Sequence, residues 1–166
     1  MPSLHLRTLT LIIALVFAIE LSIAQLIGDD ANLAHLEQQA EELIAQGDPH
    51  GAALSSGKAA LLAAQIAKQT ADQVNTHYYH AMSQLLRTQE TVYRAVGLFQ
   101  QSGERIPASS GVCDLLTLGM QHNDEAQRVI TTDSVRSSTQ NSTLQTRVRE
   151  WMEIVQELQQ EWDCGN

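Results

Sequence analysis

The sequence predicts an all-α fold: an elongated antiparallel helical hairpin or bundle, with one long central helix over about 50–101 and an amphipathic C-terminal helix. Three observations lead there. Alanine, leucine and glutamine dominate, and aromatic residues make up only 4% of the chain, a balance that favours helices over large sheets. Apolar residues at Leu54, Leu61, Ala64, Ala71, Val74, Tyr78, Leu85, Val92, Val96 and Phe99 recur at steps of three, four or their sum. That spacing marks one face of a helix and not the alternation of a strand. Between Gly57 and Gln101 there is no proline, and Gly97 is the one intervening glycine. Asn75-Thr76 is the weakest helical point in the run, where a kink or break would divide it into two ordinary helices.

The N-terminus reads as an address. Arg7 precedes an almost continuous apolar run from Leu9 to Ile19, and Ser22-Ile23-Ala24 places small residues where a signal peptidase reads them. Residues 1–24 are therefore expected to be a signal peptide cut before Gln25. The run is short of the roughly 20 residues that span a bilayer, and extending it to Ile27 would bury Glu20. Residues 25–166 then form a single helical domain, periplasmic or secreted. Membrane contact is expected only through the signal segment, if it stays uncleaved.

Within that domain a first helix is expected from about Ala31 to Gln46, capped by Asp29 and Asp30, with Leu33, Leu36, Ala40, Leu43 and Ile44 as its apolar face. Gly47 suits the left-handed residue after a helix. Asp48 suits the cap of the next helix, with Pro49 in its first turn. This turn folds the first helix back along the second. Gly57 would allow a close approach of the first helix, or a bend in the second. Ser102 to Gly111 is rich in breakers and reads as a connection. A helical piece follows over Val112 to Gln121, continuing past Asn123-Asp124 to Ile130. Thr131 to Ser142 reads as a polar loop containing Asn141-Ser-Thr, a glycosylation sequon in a eukaryotic host. In the last helix Leu144, Val148, Trp151, Val155, Leu158 and Trp162 are separated by 4, 3, 4, 3 and 4, the core seam of a coiled coil or a bundle helix.

Charge narrows the partners. The formal charge is −9 with ten Lys and Arg in all, too few cations to neutralise many phosphates, so nucleic acid is not an expected partner. Cys113 and Cys164 fit one disulfide in an exported protein. No Gly-x-Ser-x-Gly, His-Glu-x-x-His, Walker loop or Cys-x-x-Cys occurs, and no catalytic set, cofactor site or small-molecule substrate is evident. The chain is thus read as a non-enzyme. Glu41, Glu42, Glu150, Glu153, Glu157 and Glu161 fall at helical spacing on polar faces, where solvation explains them. The best metal-ligand candidates are His77 and His80, three apart on one helical face, with His122, Glu90 or Asp72 as a third ligand for Zn or Cu. The competing reading is two surface histidines beside Tyr78 and Tyr79. His35 and His50, flanking the first turn, are a second candidate pair if the hairpin is slightly offset. The glutamine-rich faces offer hydrogen bonds to other proteins, or simply to water.

Two resemblances follow. The exported hairpin, the long glutamine-rich helix and the loop Arg105-Ile-Pro-Ala-Ser-Ser-Gly-Val-Cys113 resemble periplasmic, all-helical accessory subunits of bacterial conjugation and type IV secretion machines. That likeness implies an interaction role among other envelope proteins and carries over no binding residue. The segment His35-Leu-Glu-Gln-Gln-Ala-Glu-Glu-Leu-Ile-Ala-Gln-Gly-Asp-Pro-His-Gly, followed by the alanine-rich Lys58 to Lys68, is similar to a repeat of small periplasmic metal-binding helical bundles. Those repeats are studded with histidine. Here only His35 and His50 match, and the equivalent places hold Gln, Ala or Lys. The alternative function is accordingly a periplasmic transition-metal-binding protein of four-helix type.

Overall fold

The computed structural model describes residues 28–103, 111–131 and 139–164, and every element among them is helical, with no strand. The expected signal segment lies outside these residues, as does most of the connection after Ser102. In chain order, α1 covers residues 28–45, α2 Pro49–Gln69, α3 Gln73–Gln101, α4 Val112–Ile130 and α5 Thr139–Glu161.

The first turn forms for the reasons its residues suggest. Gly47 takes φ +79°, and its N–H donates to the Ile44 carbonyl while the Asp48 N–H reaches back to Leu43. This double bond pattern closes a helix whose next residue is left-handed. Asp48 Oδ1 then accepts the Gly51 N–H at 2.9 Å, capping α2 with Pro49 in its first turn. At the start of α1 the expectation is corrected. Residues 28–30 are already helical, and Asp30 accepts the Tyr79 hydroxyl at 2.6 Å, pinning α1 to α3.

The single helix expected over 50–101 is divided, and not at Asn75-Thr76. α2 ends at Gln69, Thr70 is extended, and the Asp72 side chain caps α3 by accepting the Asn75 N–H at 2.9 Å. Asn75 and Thr76 therefore lie in the first turn of α3, where the Thr76 hydroxyl donates to the Asp72 carbonyl. Burial explains the fold-back. Ala52, Ala53, Ala59, Ala60 and Ala63 are all buried, and an unbroken rod would leave much of this alanine face without a partner. Folded back, α2 lies so close to α3 that Ser83 Oγ donates to the Ala60 carbonyl at 2.8 Å. Gly57 does permit a close approach, though of α3 and not of α1. A Cβ at Gly57 would stand 3.0 Å from the Glu90 carboxyl carbon. Gly119 does the same from α4, because a Cβ there would meet Thr91 Oγ1 at 2.8 Å.

α3 is thus the strut that α2 and α4 clasp from either side, and α5 packs on α3 and α4. One core joins all five helices: Leu33 of α1, Ile66 of α2, Leu85 and Leu86 of α3, Ile130 of α4, Leu144 and Val148 of α5. A second, around Val92, Leu116, Val155 and Trp162, fills the end near the disulfide. The seam of α5 is as its spacing predicts: Leu144, Val148, Val155 and Trp162 are buried, with Trp151 and Leu158 half-buried between them. Trp162 stacks on Phe99 at 4.4 Å.

One further expectation is corrected. The expected loop over 131–142 is already helical from Thr139, and Asn141 of the sequon is only 2% exposed within α5. A glycan on that amide would require the start of α5 to unpack. As its spacing allows, α4 continues past Asn123-Asp124 to Ile130. Asn123 is fully buried and its Nδ2–H donates to the Val148 carbonyl of α5 at 3.0 Å, so the amide fastens two helices together.

Candidate functional site

The disulfide is the one sequence-predicted site that the structure assembles as read. Cys113, in the first turn of α4, is bonded to Cys164, just beyond α5, with Cα atoms 5.2 Å apart. Its formation fits an oxidising compartment. No described helix is long and apolar enough to cross a membrane.

The histidines are placed differently. His77 is half-buried and His80 exposed in the early turns of α3. The three proposed third ligands are each engaged elsewhere. Asp72 caps α3, and the His122 Nδ1–H donates to Gln84 Oε1 at 2.9 Å. Glu90 is buried between Arg87 and Arg94, with Arg87 Nη1 2.6 Å from its carboxylate. Burial holds the His122 imidazole below its ordinary pKa, and the Arg87 charge adds to this against the opposing Glu90. Glu125 of α4 lies within electrostatic reach of His80, but its carboxylate is already forked by Arg128 at 2.6 and 2.8 Å. Those bonds hold Glu125 below the usual carboxylate range. Among the described residues no group of three or more His, Cys, Asp or Glu is placed to hold a metal ion. His35 and His50 are not brought together. His50 accepts the Gln101 amide N–H at 2.6 Å and lies over Gly97, at the far end of α3. His35 sits about ten residues up α1 from the turn, roughly 15 Å along the axis, in a shallow polar recess with Gln38, Gln39 and Glu42.

A groove of about 530 Å³ runs between α4 and α5, bordered by Asn123, Gln127, Ser142, Thr146, Arg149 and Met152. Among the described residues its lining contains no His, Cys, Asp or Glu. The tyrosines carry the strongest titration shifts. Burial, with the nearby Glu41 charge, pushes Tyr93 up to about 12 against an opposing Arg147, and burial and the bond to Asp30 raise Tyr79 well above its ordinary value. A tyrosine whose pKa is raised in the folded state stabilises the fold fully below the unfolded value of 10.0. That contribution is lost as pH rises towards about 12. Chemical denaturation across this window should show falling stability, with a shallower fall for Tyr93→Phe by one proton's worth of slope. An equal slope in both proteins would contradict the assignment.

The residues that sequence periodicity misplaced are on α2. Leu54 and Leu61, read as part of the buried stripe, are 61% and 60% exposed. The face that α2 buries is lined by alanine, Ser55, Ser56 and Gly57, because small residues let its backbone approach α3. The leucines are left on the opposite side with Lys58, Gln65 and Lys68, all exposed at steps of four and three. Lys58 and Lys68 are the only lysines in the chain, and α2 contains no Asp or Glu. The clue in the sequence was that absence of acid, in a chain of net charge −9.

These features define an all-α bundle with a disulfide-fastened C-terminal helix and an apolar, basic stripe open to solvent. Compared with family models, with curated proteins and with solved structures, the chain matches none.

Proposed function

We propose that this chain is an exported, non-enzymatic helical protein that works by contact with other proteins of the cell envelope. A conjugation or type IV secretion assembly is the setting its resemblance implies. The observation that carries the reading is the stripe on α2. Two leucines about 60% exposed, a heptad apart and alternating with both lysines, form a surface that costs solvation and serves no internal packing. Exposed apolar positions rimmed by charge are what one protein helix offers another. The disulfide supports the exported location.

Photo-crosslinking in cells tests this. A photoreactive residue at Leu54 or Leu61 is expected to give discrete protein adducts, and one at exposed Asp124 of α4 to give none. Equal labelling from both faces, or no protein adduct from α2, would refute the contact role.

A further inference from the structure

The open stripe of α2 has a counterpart on the same molecule. Along α5, Glu150, Ile154, Glu157 and Glu161 recur at steps of four, three and four, and all are exposed, Ile154 at 37%. They lie away from the seam of Leu144, Val148 and Val155 that α5 buries. One helix thus presents two leucines alternating with two lysines, and another an isoleucine between glutamates.

We propose that the α2 stripe of one copy docks on the α5 stripe of a second copy, head to tail. This rests on the protein-contact reading above and names its partner. Charge decides among the possible pairings of copies. Packing α2 on α2 brings Lys58 and Lys68 towards their own equivalents, and packing α5 on α5 faces glutamates with glutamates. The mixed pairing alone joins opposite signs. Spacing then selects a direction. Lys58 and Lys68 are roughly 15 Å apart along α2, and Glu150 and Glu161 roughly 16.5 Å apart along α5. With the helices parallel, Lys58 meets Glu150, Lys68 meets Glu161, and Ile154 falls within one residue of Leu61. With the helices antiparallel and Ile154 against Leu61, Lys58 meets Glu157, and Lys68 has no exposed glutamate opposite it. Because two different surfaces meet, the copy that offers α2 keeps its α5 free and the other keeps its α2 free, so the contact continues into a ring or a filament.

The whole exported chain, its disulfide closed, is to be followed by sedimentation velocity and light scattering over a concentration series at low and high salt. Mass is expected to grow with concentration and to fall back with salt, since the ion pairs lie at the rim. Leu61→Glu is expected to weaken association by about tenfold or more, the equivalent of losing one buried leucine. Two charge-reversed proteins give the sharper result. Lys58→Glu with Lys68→Glu makes both stripes acidic, and Glu150→Lys with Glu161→Lys makes both basic. Each alone should remain monomeric, and an equimolar mixture should assemble again. All of these positions are exposed, and circular dichroism confirms that the variants are folded. A wild-type protein that stays monomeric, or reversed proteins that assemble alone or fail to assemble when mixed, would overturn the proposal. So would a monomer that co-sediments through α2 with phosphatidylglycerol vesicles, which would make the stripe a lipid-binding face. A monomer that still crosslinks at Leu61 to a different protein in cells removes self-docking and leaves the contact role intact.

Discussion

Replacing both Cys113 and Cys164 with serine is expected to lower the unfolding free energy by about 4 kcal/mol, the largest single effect in this chain. The bond closes a loop of sequence separation 51, and fixing a loop of that length removes about this much conformational freedom from the unfolded chain. The thermal midpoint should fall by roughly 10–15 °C for a domain of this size. In urea the midpoint should drop while the bond's removal raises the slope slightly, since a less constrained unfolded chain exposes more surface. The double substitution is preferred to a single one because it leaves no reactive thiol. Cys164 follows the end of α5 at Glu161, its N–H bonded to the Gln159 carbonyl, with Trp162 stacked on Phe99 close by in the chain. Local loosening should therefore concentrate there, as faster amide exchange over residues 155–164 than over the first core of α3. An unchanged midpoint would mean that packing alone holds the end of α5.

Trp151→Ala is expected to cost about 3–4 kcal/mol, in the range for removing a large aromatic from a packed interior. Trp151 is only half-buried, yet it packs against all three apolar clusters, and among the described residues no other does so. It meets Tyr93 edge-on, with ring centres 5.7 Å apart and planes at 82°, the arrangement in which the positive ring edge points at the negative face. Trp151→Phe keeps part of that contact and should cost about 1–1.5 kcal/mol. Urea titrations followed by the remaining tryptophan, Trp162, would measure both. If the alanine variant lost no more than the phenylalanine one, the clusters would be packed independently of one another.

How much of this was legible in the chain varies with how local the cause is. The turn at Gly47-Asp48-Pro49 was fully readable, because a left-handed glycine, a capping carboxylate and a proline each act within four residues. The α5 seam was readable because leucine, valine and tryptophan at a 4-3 spacing have one way to be buried. The division of the long helix was not placed correctly. Its signal, Asp72 capping from a stretch without glycine or proline, is weak beside the favourable propensities around it. The surroundings of the candidate metal ligands were not legible for a related reason. Spacing alone puts His77 and His80 on one face, but only the packed bundle assigns Glu90 to Arg87 and Arg94, and His122 to Gln84.

The sequence by itself determined the helical class, the first turn, the C-terminal amphipathic helix and the pairing of the two cysteines. The first three follow from propensity, capping and periodicity, which are properties of neighbours along the chain, and the pairing follows from there being two cysteines. Only the tertiary structure decided which side of α2 faces inward. Hydrophobicity favours burying Leu54 and Leu61, but alanine and Gly57 permit a backbone approach to α3 that leucine would block. That choice between large apolar area and close contact is settled across two helices, and it leaves the leucines on the surface where a partner can reach them.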